Sequence, residues 1–243
     1  MSRSLGANAR AEGDQVEERG PQTLSATVYA RLRQEIVDGT LAPGGKLRIG
    51  VVSARYGVTS TPVREALSQL ASEGFVRRWE QRGFTVAAAT EPELQELTRT
   101  RCWVEEVALR QAMLHATPAW EEGVVLALHR LSRTPRSLEA VTFQENPAWE
   151  AVHRAFHMAL LATCPSGYLR NFCAQLSDHA TRYRRLAMNA VFPARDIGAE
   201  HRAIADAALS ADADTAVDVL TTHYRRTASI VAGAQASQTA RNS

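Results

Sequence analysis

Seven histidines stand in this 243-residue chain, and four of them have the spacing of ligands. His153 and His157 are four residues apart in a segment where Trp149, Val152, Phe156 and Leu160 recur at helical period. Their imidazoles therefore share one helix face, one turn apart. His201 shares an apolar stripe with Ile197, Ile204 and Ala208, and His223 another with Ala216, Leu220, Thr227 and Ile230. Neutral imidazole is a frequent ligand of zinc, nickel, copper and iron. Four imidazoles on three inward faces make a candidate metal centre. The competing reading is four core histidines, each satisfied by a hydrogen bond, and spacing alone leaves both open. His115, His129 and His179 lack such company and read as surface or helix-face residues.

The elements that must position these groups are helical. Leu94, Leu97, Arg101, Val104, Ala108 and Met113 trace one helix. Five more are predicted over Trp120–Leu131, Trp149–Leu161, Tyr168–Met188, Arg195–Leu209 and Asp214–Ala232. Residues 132–147, with Pro135 and Pro147, read as a connecting loop. The expectation is an all-helical bundle of about six helices over residues 91–233, followed by a flexible tail at 234–243. Arg101 and Glu105 stand at i, i+4. Arg101 either points into a cavity to bind a carboxylate or makes a structural ion pair with Glu105. Arg182-Tyr183-Arg184-Arg185 reads as a solvated basic face from which one member turns inward. Arg101 and Tyr183 are the candidate residues for binding a small acid.

The N-terminal third carries a different chemistry. Gly57-Val58-Thr59-Ser60-Thr61-Pro62-Val63-Arg64-Glu65-Ala66-Leu67 reads as a sharp turn feeding a helix. Thr61 is placed as the cap, with Pro62 at the first helical position. Val63, Ala66, Leu67 and Leu70 form its buried face, and Gly74 ends it. Thr61, Arg64 and Ser68 lie on another face. A short helix with a polar, arginine-bearing outer side suits a DNA major groove. Upstream, Val28, Leu32, Ile36 and Leu41 precede a turn at 42–45, and Ile49–Tyr56 is a short second helix. Downstream, 75–79 and 84–86 read as two strands joined by a tip at Glu80-Gln81-Arg82-Gly83. The sum is a winged helix-turn-helix over 24–88. The residues placed toward DNA are Arg48, Thr59, Ser60, Thr61, Arg64, Ser68, Arg82 and Gly83. Residues 24–85 hold nine Arg or Lys against five Asp or Glu, while 86–243 hold sixteen against seventeen. The basic excess thus sits where phosphates would be neutralised.

Composition excludes several classes. No run of 18 apolar residues exists, so no membrane span is expected. No apolar signal-peptide core opens the chain, and residues 1–23 read as a disordered tail. Cys102, Cys164 and Cys173 are odd in number without paired spacing, which suits a reducing cytoplasm. No glycine-rich phosphate loop is present.

The run DGTLAPGGKL…YGVTSTPVREALSQLASEGFVRRWEQRGFTV, within about residues 24–88, resembles the DNA-binding domain of the GntR family of transcription regulators. Arg64, Thr59 and Thr61 match its DNA-contacting pattern, and Arg82-Gly83 its wing tip. Ser60 stands where members usually carry arginine, and Gly50 where a polar residue is common, departures that bear on the operator sequence. The pattern WEAVHRAFHMALLA…RYRR…EHRAI…D…AVDVL…H, over roughly 91–233, resembles the FCD ligand-sensing domain of the FadR branch. That resemblance implies a divalent metal held by an aspartate and three histidines. His157, His201 and His223 match the histidines, and His153 takes the aspartate's place. Removing that negative charge favours zinc or nickel over manganese or magnesium.

The expectation is then a mainly α protein that is not an enzyme: a cytoplasmic repressor binding a near-palindromic double-stranded operator as a homodimer. It would hold a divalent transition metal, zinc or nickel, and a small carboxylate effector. The alternatives are a regulator for which the metal itself is the signal, and a metal-dependent hydrolase. The hydrolase lacks a placed general base, since Glu200 precedes His201 but is expected on a different helical face.

Overall fold

The computed structural model describes residues 23–80, 83–139, 142–187 and 195–242. The segment expected as a disordered N-terminal tail lies, up to residue 22, outside the described residues, as do Arg82 at the wing tip and Met188. Helix α1 (Leu24–Val37) begins where the Thr23 hydroxyl accepts from the Ala26 amide, and it buries Val28, Leu32, Ile36 and Val37. A two-residue strand, β1 (Lys46–Leu47), follows. It is too short to carry a period, and the sequence reading missed it. Helix α2 (Ile49–Tyr56) stops at Gly57, whose φ of +66° is the left-handed conformation glycine adopts freely.

Helix α3 (Ser60–Ser72) starts two residues earlier than predicted, with Thr59 rather than Thr61 as the flanking residue. Pro62 therefore occupies the third helical position. Its missing N–H still costs nothing, because first-turn amides have no partner within the helix. Val63, Ala66, Leu67 and Leu70 are buried as expected. Strands β2 (Val76–Trp79) and β3 (Gly83–Val86) pair antiparallel with Val76 opposite Val86, and β1 adds to β3 with Lys46 opposite Thr85. The sheet order β1-β3-β2 makes a wing against a core of Leu32, Ile36, Leu67, Leu70 and Phe75.

Six helices follow: α4 (Glu91–Leu114), α5 (Pro118–Arg133), α6 (Pro147–Leu160), α7 (Gly167–Ala187), α8 (Ile197–Leu209) and α9 (Ala213–Asn242). Thr90 and Glu93 close a reciprocal capping box at the start of α4, and prolines open α5 and α6. Leu109, Trp120, Phe156, Leu160, Ile204 and Leu220 fill the bundle core. Helix α9 runs to Asn242, where the sequence reading placed a flexible tail from 234. The reason is packing: Val231 and Ala234 are buried with Leu94 and Tyr183, so the apolar face continues beyond the predicted stop.

The two domains meet along α7. Asp178 accepts from Arg33 of α1 at 2.5 Å and from Arg154 of α6 at 2.8 Å. His179, expected as a surface or helix-face residue, is a half-buried residue on the face of α7 that meets the N-terminal domain. Its ring stacks on Phe75 at 4.1 Å and its Nε2 lies 2.8 Å from the Glu73 carbonyl. Arg182 donates to the carbonyls of Ala87 and Ala88, the connection between the wing and α4.

Candidate metal centre and DNA-facing surface

Helix α6 brings His153 and His157 to its inner face, α8 brings His201 and α9 brings His223. The four offer one nitrogen each, and those nitrogens all lie within 4.8 Å of one another. Every one of the rings is at most 5% exposed. Burial holds His153 and His157 well below the usual imidazole range, with neighbouring cationic groups adding to the effect. Burial likewise takes His201 down to about 2 and lowers His223. The cluster is therefore four neutral imidazoles, the protonation state that coordinates a metal.

Outer partners orient three rings. His223 Nδ1 lies 2.8 Å from Glu200 Oε2, and Arg195 and Arg226 also hold that carboxylate. His157 Nδ1 lies 3.1 Å from the Tyr224 hydroxyl, which donates to Glu105 at 2.5 Å. His153 stacks on Trp149 at 4.6 Å. His201 Nε2 is buried without a hydrogen-bond partner. Orphaned buried nitrogens are uncommon, and this ring has three other imidazoles around it, with centroids 4.9, 5.0 and 5.5 Å away. The donor set and the orphan both fit a late divalent metal such as zinc or nickel.

Glu200 thus has a role that sequence reasoning missed. It does lie off the face of His201, as expected, and that direction takes it to His223 on the next helix. The residues predicted to hold an effector lie beside the cluster. Arg101 and Tyr183 line a cavity of about 30 Å³ together with His153, His157, His223 and Arg184. Arg101 realises the ion-pair alternative, with Nε 2.8 Å from Glu105 Oε1 and its guanidinium 3.9 Å over the Tyr224 ring. Burial and Glu93 push the Tyr183 phenol up to about 12. The run 182–185 is not a solvated face. Arg182, Tyr183 and Arg184 are buried, Arg184 pairs with Glu150 at 2.6 Å, and Arg185 pairs with Glu145 at 2.6 Å.

On the N-terminal domain Arg48, Thr59, Ser60, Thr61, Arg64, Ser68 and Gly83 are all exposed. Arg64 and Ser68 line a groove between α3 and the wing, facing Arg78, Trp79 and Gly83. Arg78 is an addition to the predicted set, and only the strand pairing puts it opposite Phe84 beside the groove. Among the described residues no ion pair ties down Arg48, Arg64 or Arg78. Their charges stay available to phosphates or base edges.

Residues 24–86 match the family model described as bacterial regulatory proteins of the gntR family, and residues 96–226 match the FCD domain. The HTH-type transcriptional regulator BphR of Paraburkholderia xenovorans is 37% identical over 86% of this chain and 86% of that protein. The HTH-type transcriptional repressor GlaR of Escherichia coli is 33% identical, covering 80% of this chain and 90% of that one. The structure of E. coli McbR, also called YncC, superposes with a TM-score of 0.71 at 22% identity, over 87% of this chain and 98% of that chain. At that identity the likeness speaks for the fold. No helix among the described residues is long and apolar enough to cross a membrane.

Proposed function

For a chain that belongs to the GntR family of bacterial regulators, with an FCD domain behind its helix-turn-helix, we propose a repressor governed by a small organic acid bound at a histidine-held metal. That it is a DNA-binding transcriptional regulator and not an enzyme follows from the family. The observation that carries the metal reading is the buried cluster of four neutral imidazoles with an orphaned His201 nitrogen. His153, His157, His201 and His223 would hold the ion, zinc or nickel by donor chemistry. A bound divalent ion would supply a positive charge that these neutral ligands leave uncompensated and that a carboxylate answers. Arg101, Tyr183 and Arg184 border the cavity from which such an acid would be held.

Operator recognition rests on Arg64 and its neighbours in a near-palindromic double-stranded site, read by two copies. The second copy has a face to use. Trp103 and Val107 on α4 are 62% and 52% exposed, and Tyr168 and Phe172 on the adjoining α7 are 93% and 44% exposed. These are large apolar side chains left exposed on two packed helices, suited to burial against a second copy. Cys102, Cys164 and Cys173 are free and buried, in keeping with a cytoplasmic setting.

The second reading, in which the metal is itself the signal, has one observation in its favour. A 30 Å³ cavity beside the imidazoles holds about two waters, with no room for a larger acid before the helices part. One experiment separates the two. Purified protein is assayed for metal by elemental analysis, then screened by thermal shift against mono- and dicarboxylates, sugar acids and neutral controls. About one ion per chain and stabilisation by acids only in the metal-loaded form supports the leading reading. Metal uptake with no acid response favours metal sensing, and no metal uptake refutes both.

A further inference from the structure

The hydrogen bonds around the cluster decide which nitrogen of each imidazole carries its proton. Arg101 donates to Glu105 Oε1 at 2.8 Å, and the Tyr224 hydroxyl donates to Oε2 of the same carboxylate at 2.5 Å. A hydroxyl has one proton, so Tyr224 meets His157 Nδ1, 3.1 Å away, only as an acceptor. The single N–H of neutral His157 is therefore on Nδ1, and its Nε2 is bare. His157 Nε2 and His153 Nε2 are 3.2 Å apart, a contact that needs one proton. That proton must belong to His153. His153 is thus the Nε2–H tautomer, with a bare Nδ1, and at that atom stands a donor: Arg184 Nη2 at 3.4 Å.

The assignment is reached independently from both ends of the chain of bonds. From one side Glu105 and Tyr224 force a proton onto His153 Nε2. From the other, the Arg184 cation opposes a proton on His153 Nδ1. Arg184 Nη2 has two protons: one goes to Glu150 at 2.6 Å, and the other lies between the Thr181 hydroxyl at 3.2 Å and His153 Nδ1. His223 differs. Its Nδ1 has Glu200 Oε2 at 2.8 Å and Arg195 Nη2 at 3.3 Å. The shorter contact is to the carboxylate, and Arg195 also donates to that carboxylate, so Nδ1 carries the proton and Nε2 is bare. His157 and His223 are therefore preset as Nε2 ligands, and His201 Nε2 is buried with no partner. Among the three rings whose protons these bonds place, His153 alone holds its proton on the nitrogen that faces a neighbouring imidazole.

We propose that His157, His201 and His223 are the standing ligands of this site, and that His153 is a fourth ligand withheld by Arg184. The inference rests on the reading that the cluster holds a metal. For His153 to coordinate through Nε2, its proton must move to Nδ1, the atom Arg184 occupies. The imidazole stays neutral throughout, so no proton is gained or lost. Arg184 borders the same cavity as the imidazoles. A carboxylate that draws the guanidinium away from Nδ1 frees His153 to bind, so acid and metal each raise the other's affinity. The chemical class that fits is a small monoanionic or dianionic carboxylate able to reach Arg184.

Long-range proton–nitrogen NMR on metal-free protein with ¹⁵N-labelled histidine reads the tautomers directly. The expected result is Nε2–H at His153 and Nδ1–H at His157 and His223. Nδ1–H at His153 overturns the proposal whatever the metal does. Zinc affinity by chelator competition tests the consequence. His153→Ala should cost less than about tenfold, and His157→Ala or His223→Ala about a hundredfold or more. Arg184→Gln should raise zinc affinity in the otherwise native protein, with the gain at least several-fold smaller when His153 is already alanine. Equal losses at His153 and His157, or an Arg184 effect independent of His153, would overturn the withheld ligand while leaving the metal reading intact. A folded protein that takes up no zinc overturns both.

Discussion

Replacing Glu200 by glutamine should weaken metal binding by one to two orders of magnitude without unfolding the protein. Glu200 accepts from His223 Nδ1 at 2.8 Å and so keeps His223 Nε2 bare toward the cluster. Glutamine retains the shape, and its carbonyl can still accept, but a neutral acceptor makes a bond about half as strong as a carboxylate does. The change also strips the counter-charge from Arg195, whose side chain is 8% exposed, and from Arg226. Two uncompensated guanidiniums then stand behind a ligand of a cationic site. Loss of such an outer-sphere carboxylate typically costs 10–100-fold in metal affinity, about 1.4–2.8 kcal/mol. Competition against a chromophoric chelator at fixed pH measures it, with circular dichroism confirming the helical fold. An affinity within about twofold of the native protein would refute the argument that Glu200 prepares His223 for coordination.

Arg64→Ala should lose about 1–3 kcal/mol of operator affinity, since Arg64 is exposed on the groove side of α3 and ion-paired to none of the described residues; an unchanged anisotropy titration would remove it from the interface. The metal-free protein should lose stability as pH falls. Its four cluster imidazoles stay neutral when folded but bind protons near pH 6.5 when unfolded. Each then costs about 1.4 kcal/mol between pH 7.5 and 5.5, to a ceiling of about 5.5 kcal/mol for the four. Urea unfolding at both pH values checks this, and equal stability would contradict the buried neutral cluster. Trp103→Glu should convert a dimer into a species of about the 26.6 kDa chain mass by light scattering, because it sets a charge in the middle of the exposed α4 face; a native-like dimer would locate the interface elsewhere.

The parts of this molecule legible in its sequence are those governed by local pattern. Apolar recurrence located all six helices of the bundle. Gly57 and Gly74, both at positive φ, marked the ends of α2 and α3. The four histidines could be grouped because each lay on or beside an apolar stripe, and stripes face inward whatever the topology. What the sequence withheld depends on partners far along the chain. Glu105 and Tyr224 are 119 residues apart, and Arg182 meets Ala87 across 95 residues. A run of arginines looks solvated until the carbonyls and carboxylates that bury it are known. Arg184 beside His153 has no local signature, yet its Nη2 stands 3.4 Å from Nδ1 of that ring. The start of α3 was misplaced because a proline in any first-turn position leaves the same trace.

Occupancy of the histidine site should control the grip of the DNA-binding head. The most direct measurement is operator affinity by fluorescence anisotropy, using a fragment selected from genomic DNA by the protein itself. Metal-loaded protein is titrated with and without an acid that stabilises it, beside the variant with all four cluster histidines replaced. Operator binding by the native protein should be at least about tenfold weaker with the acid, a coupling of about 1.4 kcal/mol, with no acid effect for the variant. Equal affinity with and without a bound acid, or the same acid effect in the variant, would contradict it.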